Sequence, residues 1–183
     1  MLSKEDAQKV LDALNATGAD APEWVMLDYD EAAGRALVLS KDVVALRAYH
    51  APEVVTWETS HLRKWLNEEY FASLPEAVQS RAVETEIETP YSNAIPGGNN
   101  TMDKVFLLSI DEYYDMPESL RKATYRGAAS WWWLRSPGYS TGDVADVYPD
   151  GGLDGGIGAH GFYAFCDCGG VRPAMYLDLK EGR

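Results

Sequence analysis

Residues 129–156 read ASWWWLRSPGYSTGDVADVYPDGGLDGG: three tryptophans, an arginine, a Ser-Pro-Gly break, then glycines and aspartates with no basic residue. In an extended strand successive side chains face opposite sides, so Trp131 and Trp133 share one face and Trp132 and Leu134 the other. Both faces are apolar, the pattern of a central strand covered on both sides and ended by Pro137 and Gly138. Each buried indole removes about 150–250 Å² from water, so such a strand anchors a core. The rival reading makes the rings a stacking surface for a sugar or a cation. Large aromatics are mostly buried, and core is therefore the expectation for Trp132 and Trp133. Trp131, at the strand's start after Ala128-Ala129-Ser130, is the ring expected to be partly exposed.

Around this strand the chain after Ser130 reads as β. WWWLRS, DVADVY, LDGGIGA, GFYAFC and VRPAMYL are strand-length runs separated by Gly-rich turns. Tyr148-Pro149-Asp150-Gly151-Gly152 is a hairpin signature, in which aspartate favours the turn by bonding to its own backbone. Upstream the chain is richer in helix signals. Ser3 and Asp6 make a capping arrangement before Ala7, Val10, Leu11 and Leu14 at helical spacing, and Gly18 is placed to end that helix in a left-handed conformation. EWVMLDY and RALVLS flank a loop ending in Gly34 and predict a hairpin of two well-buried strands. Thr59 or Ser60 caps a helix whose apolar stripe is Leu62, Trp65, Leu66 and Phe71, and Pro75 opens a second helix. TPYSNAIPGGNNT is a loop by composition and the stretch expected to be most mobile. KVFLLS reads as a strand, and IDEYYDMPESLRKA as one or two short helical turns. The order is segregated rather than alternating, which predicts an α+β fold with helices in the N-terminal two thirds and Gly-rich antiparallel strands in the C-terminal third.

The 183 residues are of single-domain length, and a chain of that size buries roughly 70% of its unfolded surface without help from metals or bridges. The net charge of −13 excludes a phosphate-backbone binder, so nucleic acid is not an expected partner. No apolar run approaches the ~20 residues of a membrane span, and the opening MLSKEDAQ lacks a signal-peptide pattern, so the sequence as written reads as cytoplasmic. Cys166 and Cys168, one residue apart, are poor disulfide partners for each other and read as two small packed residues on one face of a strand.

Four ordered stretches, TSHLRKWLN, DKVFLLS, WWLRSPG and GGVRPAMYLDL, resemble a bacterial domain family of unknown function, met alone and as a module on larger, often surface-attached, proteins. The resemblance covers residues 23–179 and leaves the N-terminal helix, residues 1–18, outside it. It supplies a grouping and no mechanism. The late tryptophan-rich strand, the Gly-rich hairpin region and the closing Gly-Val-Arg strand are also similar to the formylglycine-generating-enzyme branch of the C-type lectin-like fold. That resemblance implies a lectin-like architecture and, as the alternative function, a thiol- or metal-dependent oxidase using Cys166 and Cys168. Those enzymes space their cysteines more widely, and fold likeness carries no function by itself.

From Ser136 to Val171 there is no Lys or Arg but five aspartates, Asp143, Asp146, Asp150, Asp154 and Asp167. Arg135 and Arg172 flank this acidic run and are expected to neutralise part of it, or to hold a substrate anion. The aspartates raise calcium, but their spacing fits no EF-hand and the turn reading is preferred. His50, His61 and His160 show no metal-ligand spacing, and no nucleophile elbow, Walker loop or dinucleotide fingerprint is present. The expected function is a non-catalytic binding or interaction module for a protein or carbohydrate, with no cofactor. Its candidate ligand-binding residues are Trp131, Arg135, Tyr139, Asp143, His160 and Arg172, with Cys166 and Cys168 as the candidate metal ligands.

Overall fold

The computed structural model describes residues 2–18, 21–154 and 161–180. Helix α1 (Lys4–Asn15) begins where the Ser3 hydroxyl oxygen accepts the Asp6 N–H, and it buries Ala7, Leu11 and Leu14. Each leucine so buried contributes about 2 kcal/mol by leaving water. The helix ends at Ala16 in a right-handed conformation, and Gly18 is not left-handed. Asn15 does the fastening instead: its side-chain amide donates to the Trp24 carbonyl at 2.9 Å and its oxygen accepts the Trp24 N–H at 2.8 Å.

Strands β1 (Trp24–Asp30) and β2 (Arg35–Ser40) form the expected hairpin, with Gly34 at φ 63° closing the turn. After β3 (Ala45–Leu46), helix α2 (His61–Trp65) is capped by Ser60, not Thr59, and runs through a π-helical turn (Leu66–Tyr70) into α3 (Phe71–Ser73). The wider turn carries Tyr70 into the core beside Leu62 and Leu66, while Phe71 stays half-buried with the Lys104 ammonium 4.8 Å from its ring. Pro75 precedes α4 (Glu76–Gln79). Then come β4 (Ala82–Val83), β5 (Thr85–Ile87), β6 (Thr101–Asp103) and α5 (Ile110–Asp115), which opens on a complete Ser109–Glu112 capping box. A 3₁₀ turn (Glu118–Leu120) leads to β7 (Ala123–Tyr125), β8 (Ala128–Ser130), β9 (Trp132–Pro137) and β10 (Asp143–Val147). The described strands end with β11 (Phe162–Tyr163), β12 (Gly170–Val171) and β13 (Ala174–Asp178).

The fold is α+β, but its strands are not confined to the last third. One sheet runs β1-β2-β13-β4, joining the first hairpin to the late strand β13, and a second runs β11-β10-β9-β12-β3. β5 with β6 and β7 with β8 make two small hairpin sheets. Not every pair is antiparallel, since β12 lies parallel to β9. β1 stands at a sheet edge, so only its Trp24 is buried and the expectation of two well-buried strands holds for β2 alone. VRPAMYL divides: Arg172 and Pro173 separate β12 from β13, which belong to different sheets. KVFLLS is extended and Val105–Leu108 are fully buried, yet it pairs only by the bridge Phe106↔Ala174. Its backbone is satisfied instead by Asn67, whose side chain accepts the Lys104 and Val105 N–H groups and donates to the Val105 carbonyl. LDGGIGA contributes the bridge Leu153↔Val147, and its residues 155–159 lie outside the described part.

The loop at residues 89–100 is docked on the body of the fold. A Cβ added at Gly98 would crowd the Thr56 side chain, the Asn93 amide reaches the Gly138 carbonyl at 3.3 Å, and Asn99 bonds to the Glu58 carboxylate. One hydrophobic cluster joins α1, both large sheets, the α2–α4 region and the Val105–Leu108 segment. At its centre Trp132 and Trp133 are fully buried, with each indole N–H spent on a carbonyl, Arg121 at 3.0 Å and Arg47 at 2.9 Å respectively.

Candidate functional site

The polar residues of the four quoted sequence stretches are largely consumed by the fold. Asp103, fully buried, accepts from Trp57 Nε1 at 2.9 Å, Arg63 Nε at 2.7 Å and Thr101 Oγ1 at 2.6 Å, a closed network on one carboxylate. Arg135 is also interior. It donates to the Glu88 and Leu107 carbonyls and to the Glu112 carboxylate, and its guanidinium lies over Phe106. Arg172 donates to the carbonyls of Ser40, Lys41 and Leu120 and lies 4.9 Å from the Trp132 ring centre. Burial lowers its pKa from the ordinary guanidinium value to about 10, with Asp42 opposing, so it stays charged at neutral pH. Among the described residues neither arginine forms an ion pair with the acidic run, contrary to the expected neutralisation. Both staple separate chain segments together.

Three of the sequence candidates do meet at a surface. Trp131 is half-buried, edge-on to Trp133 at 4.6 Å and tilted against Phe162 at 5.3 Å. Tyr139 and Asp143 line a shallow hollow of about 290 Å³ with Gly161, Phe162 and Tyr163, because β10 and β11 pair Asp143 with Tyr163. The Asp143 carboxylate accepts the Ser140 hydroxyl at 2.7 Å. Phe162, Tyr163 and Phe165 continue the surface and are 44%, 60% and 52% exposed, with Tyr139 at 64%. The Tyr163 and Phe165 rings are near-parallel, with centres 5.4 Å apart. His160 lies outside the described residues. Phe162, Tyr163 and Phe165 were not among the candidates, because GFYAFC read only as a strand-length run. Their signal was three aromatics within four residues in a Gly-bounded segment too short to bury them all.

The acidic run does not gather. Among the described residues Asp143, Asp146, Asp150 and Asp154 bring no three ligand oxygens together. Asp150 caps its own turn, its carboxylate accepting the Gly152 N–H at 2.9 Å while the Gly151 N–H bonds to the Tyr148 carbonyl at 2.9 Å. Asp146 is the exception to surface placement. It is buried on β10 opposite Trp133, and burial followed by the nearby Asp154 carboxylate pushes its pKa up from 3.8 to about 7. Among the described residues its Oδ1 has no hydrogen-bond partner, while Asp154 accepts the Tyr148 hydroxyl.

The cysteines are not a packed free pair on a strand. They sit in the turn after β11, Cys168 exposed, and form a disulfide with each other. Residues i and i+2 of a strand stand about 6.6 Å apart, whereas this turn brings the two Cα atoms to 5.4 Å, inside the bridging range. If the bridge is reduced, both sulfurs and the Asp167 carboxylate, all within 4.8 Å of one another, make a set suited to a soft metal ion.

A family model described as a domain of unknown function, DUF6273, matches residues 33–179. It begins ten residues inside the span of the resemblance above and leaves α1 and the whole of β1 outside. No curated protein and no solved structure matches the chain. No helix among the described residues is long and apolar enough to cross a membrane.

Proposed function

Since the chain belongs to the DUF6273 family, which brings no activity with it, we propose from its geometry that it is a non-catalytic binding module using the aromatic face around β11. The observation that carries this is four large aromatics, Tyr139, Phe162, Tyr163 and Phe165, left exposed side by side while the buried Arg135, Arg172 and Asp103 are spent on the fold. Contiguous exposed apolar surface marks a contact site. Of the two ligand classes, carbohydrate is favoured over protein, because flat rings beside a carboxylate and a phenol match the faces and hydroxyls of a sugar, and the hollow is small. A C-type lectin-like fold belongs to the same reading, supported by the tryptophan strand β9, its hairpin partner β10 and the Gly-Val-Arg segment meeting in one sheet. The bridged cysteines offer no free thiol in this state, which supports binding over a thiol-dependent oxidase.

Oligosaccharide-array screening followed by calorimetry tests it. The expected result is saturable binding of a glycan, lost in Tyr163→Ala and in Tyr139→Ala with melting unchanged, since both side chains are exposed. A chain that binds no glycan, or whose binding survives both substitutions, refutes the carbohydrate assignment.

A further inference from the structure

A second and larger groove, about 770 Å³, lies away from the hollow, between the stretch that follows β3, the start of α2 and the turn after β11. Its charge is unlike the rest of the molecule. In a chain of net charge −13, this lining places Arg47, His50 and His61 against one carboxylate, Asp167. The Arg47 guanidinium carbon lies over the Trp65 ring, 4.1 Å from its centre, and its donors meet no acceptor among the described residues. Stacking of this kind leaves the edge of the guanidinium free to make paired hydrogen bonds to an oxyanion.

The two histidines add to the same end. Their rings are 4.2 Å apart, and the His61 backbone N–H donates to His50 Nδ1 at 3.3 Å. A nitrogen that accepts carries no proton, so the neutral His50 ring holds its proton on Nε2 and is a donor there. Trp65, Tyr125 and Phe165 supply flat apolar walls. Concave sites with apolar walls and a few convergent polar groups are the common form of a small-molecule site.

We propose that this groove binds a small aromatic anion: a planar ring carrying a carboxylate or a phosphate, the ring held between the aromatic walls and the oxyanion by Arg47 with His50 and His61. The groove shares Phe165 with the aromatic face, but its anion-holding groups, Arg47, His50 and His61, lie outside that face, and the proposal does not rest on carbohydrate binding.

Calorimetric titration with benzoate, phenyl phosphate, benzamide and inorganic phosphate tests the proposal and distinguishes the two headgroups. At least one aromatic anion should saturate, with benzamide and inorganic phosphate each about tenfold weaker or worse, as expected when either the charge or the ring is missing. Arg47→Gln should weaken the aromatic anion about tenfold. The fold tolerates that change, because residue 47 serves the core through its backbone, its N–H donating to the Gly169 carbonyl and its carbonyl accepting from Trp133, while its side chain is exposed. His61→Gln, also at an exposed side chain, should weaken binding in the same direction. Failure of both aromatic anions to saturate, equal binding of benzamide, or affinity unchanged in a folded Arg47→Gln protein overturns the proposal.

Discussion

Asp146→Asn should abolish a pH dependence of stability that Asp146 imposes on the native protein. The residue is 2% exposed, its Oδ1 has no hydrogen-bond partner among the described residues, and the charged group that acts on it is Asp154. Its folded pKa, about 7, stands above the unfolded value of 3.8. A carboxyl raised in this way binds its proton more tightly when folded, so the stabilisation is complete below pH 4 and is lost as pH rises through 7. Roughly three pH units at 1.36 kcal/mol each set an upper bound of about 4 kcal/mol on the loss. Asparagine keeps the shape and cannot ionise. The variant should stand within about 1 kcal/mol of the native protein near pH 4.5 and exceed it at pH 8, by about 2–4 kcal/mol. Guanidinium melts of both proteins between pH 4.5 and 8 measure this directly. Parallel pH profiles for the two, or an asparagine variant that is the weaker protein at pH 8, would refute the reasoning.

Two further outcomes follow from burial. Trp132→Ala and Trp133→Ala should each cost about 3–5 kcal/mol, because each empties a fully buried aromatic site and orphans a carbonyl; thermal melts check it, and unchanged melting of both would return the rings to the surface. Cys166→Ser with Cys168→Ser should cost no more than about 1–2 kcal/mol, since a bridge closing so short a loop removes little entropy from the unfolded chain; denaturant midpoints with and without reductant read it.

What the sequence disclosed was local. The cap at Ser3, a cap at Thr59 or Ser60, the Gly34 hairpin and the Asp150 turn are written in neighbouring residues, and the structure has each, with Ser60 as the second cap. The buried tryptophans were legible because three in succession on two faces leave a strand no solvated side. Long-range pairing was not. Nothing in VRPAMYL says that Pro173, lacking an N–H, hands the chain from one sheet to another, and nothing in KVFLLS says that Asn67 will take the place of a strand partner. The site was less legible still. His50 and His61, eleven positions apart, and Arg47 and Trp65 meet only in the folded chain. Arg135 and Arg172 misled because an arginine beside an acidic run looks the same in sequence whether it serves an anion or a backbone carbonyl.

The insertion of β13 between β2 and β4 has a cost during synthesis. Leu39 finds its register partner at Ala174, so the apolar flank of β2 must wait for more than 130 further residues to be made before it is covered. At typical translation speeds of about 5–20 residues per second that wait lasts on the order of ten seconds. For that interval the nascent chain carries an open strand edge, the geometry that recruits stray strands and holding chaperones. The same long closure makes the native contacts predominantly distant in sequence, which places this domain among slow folders.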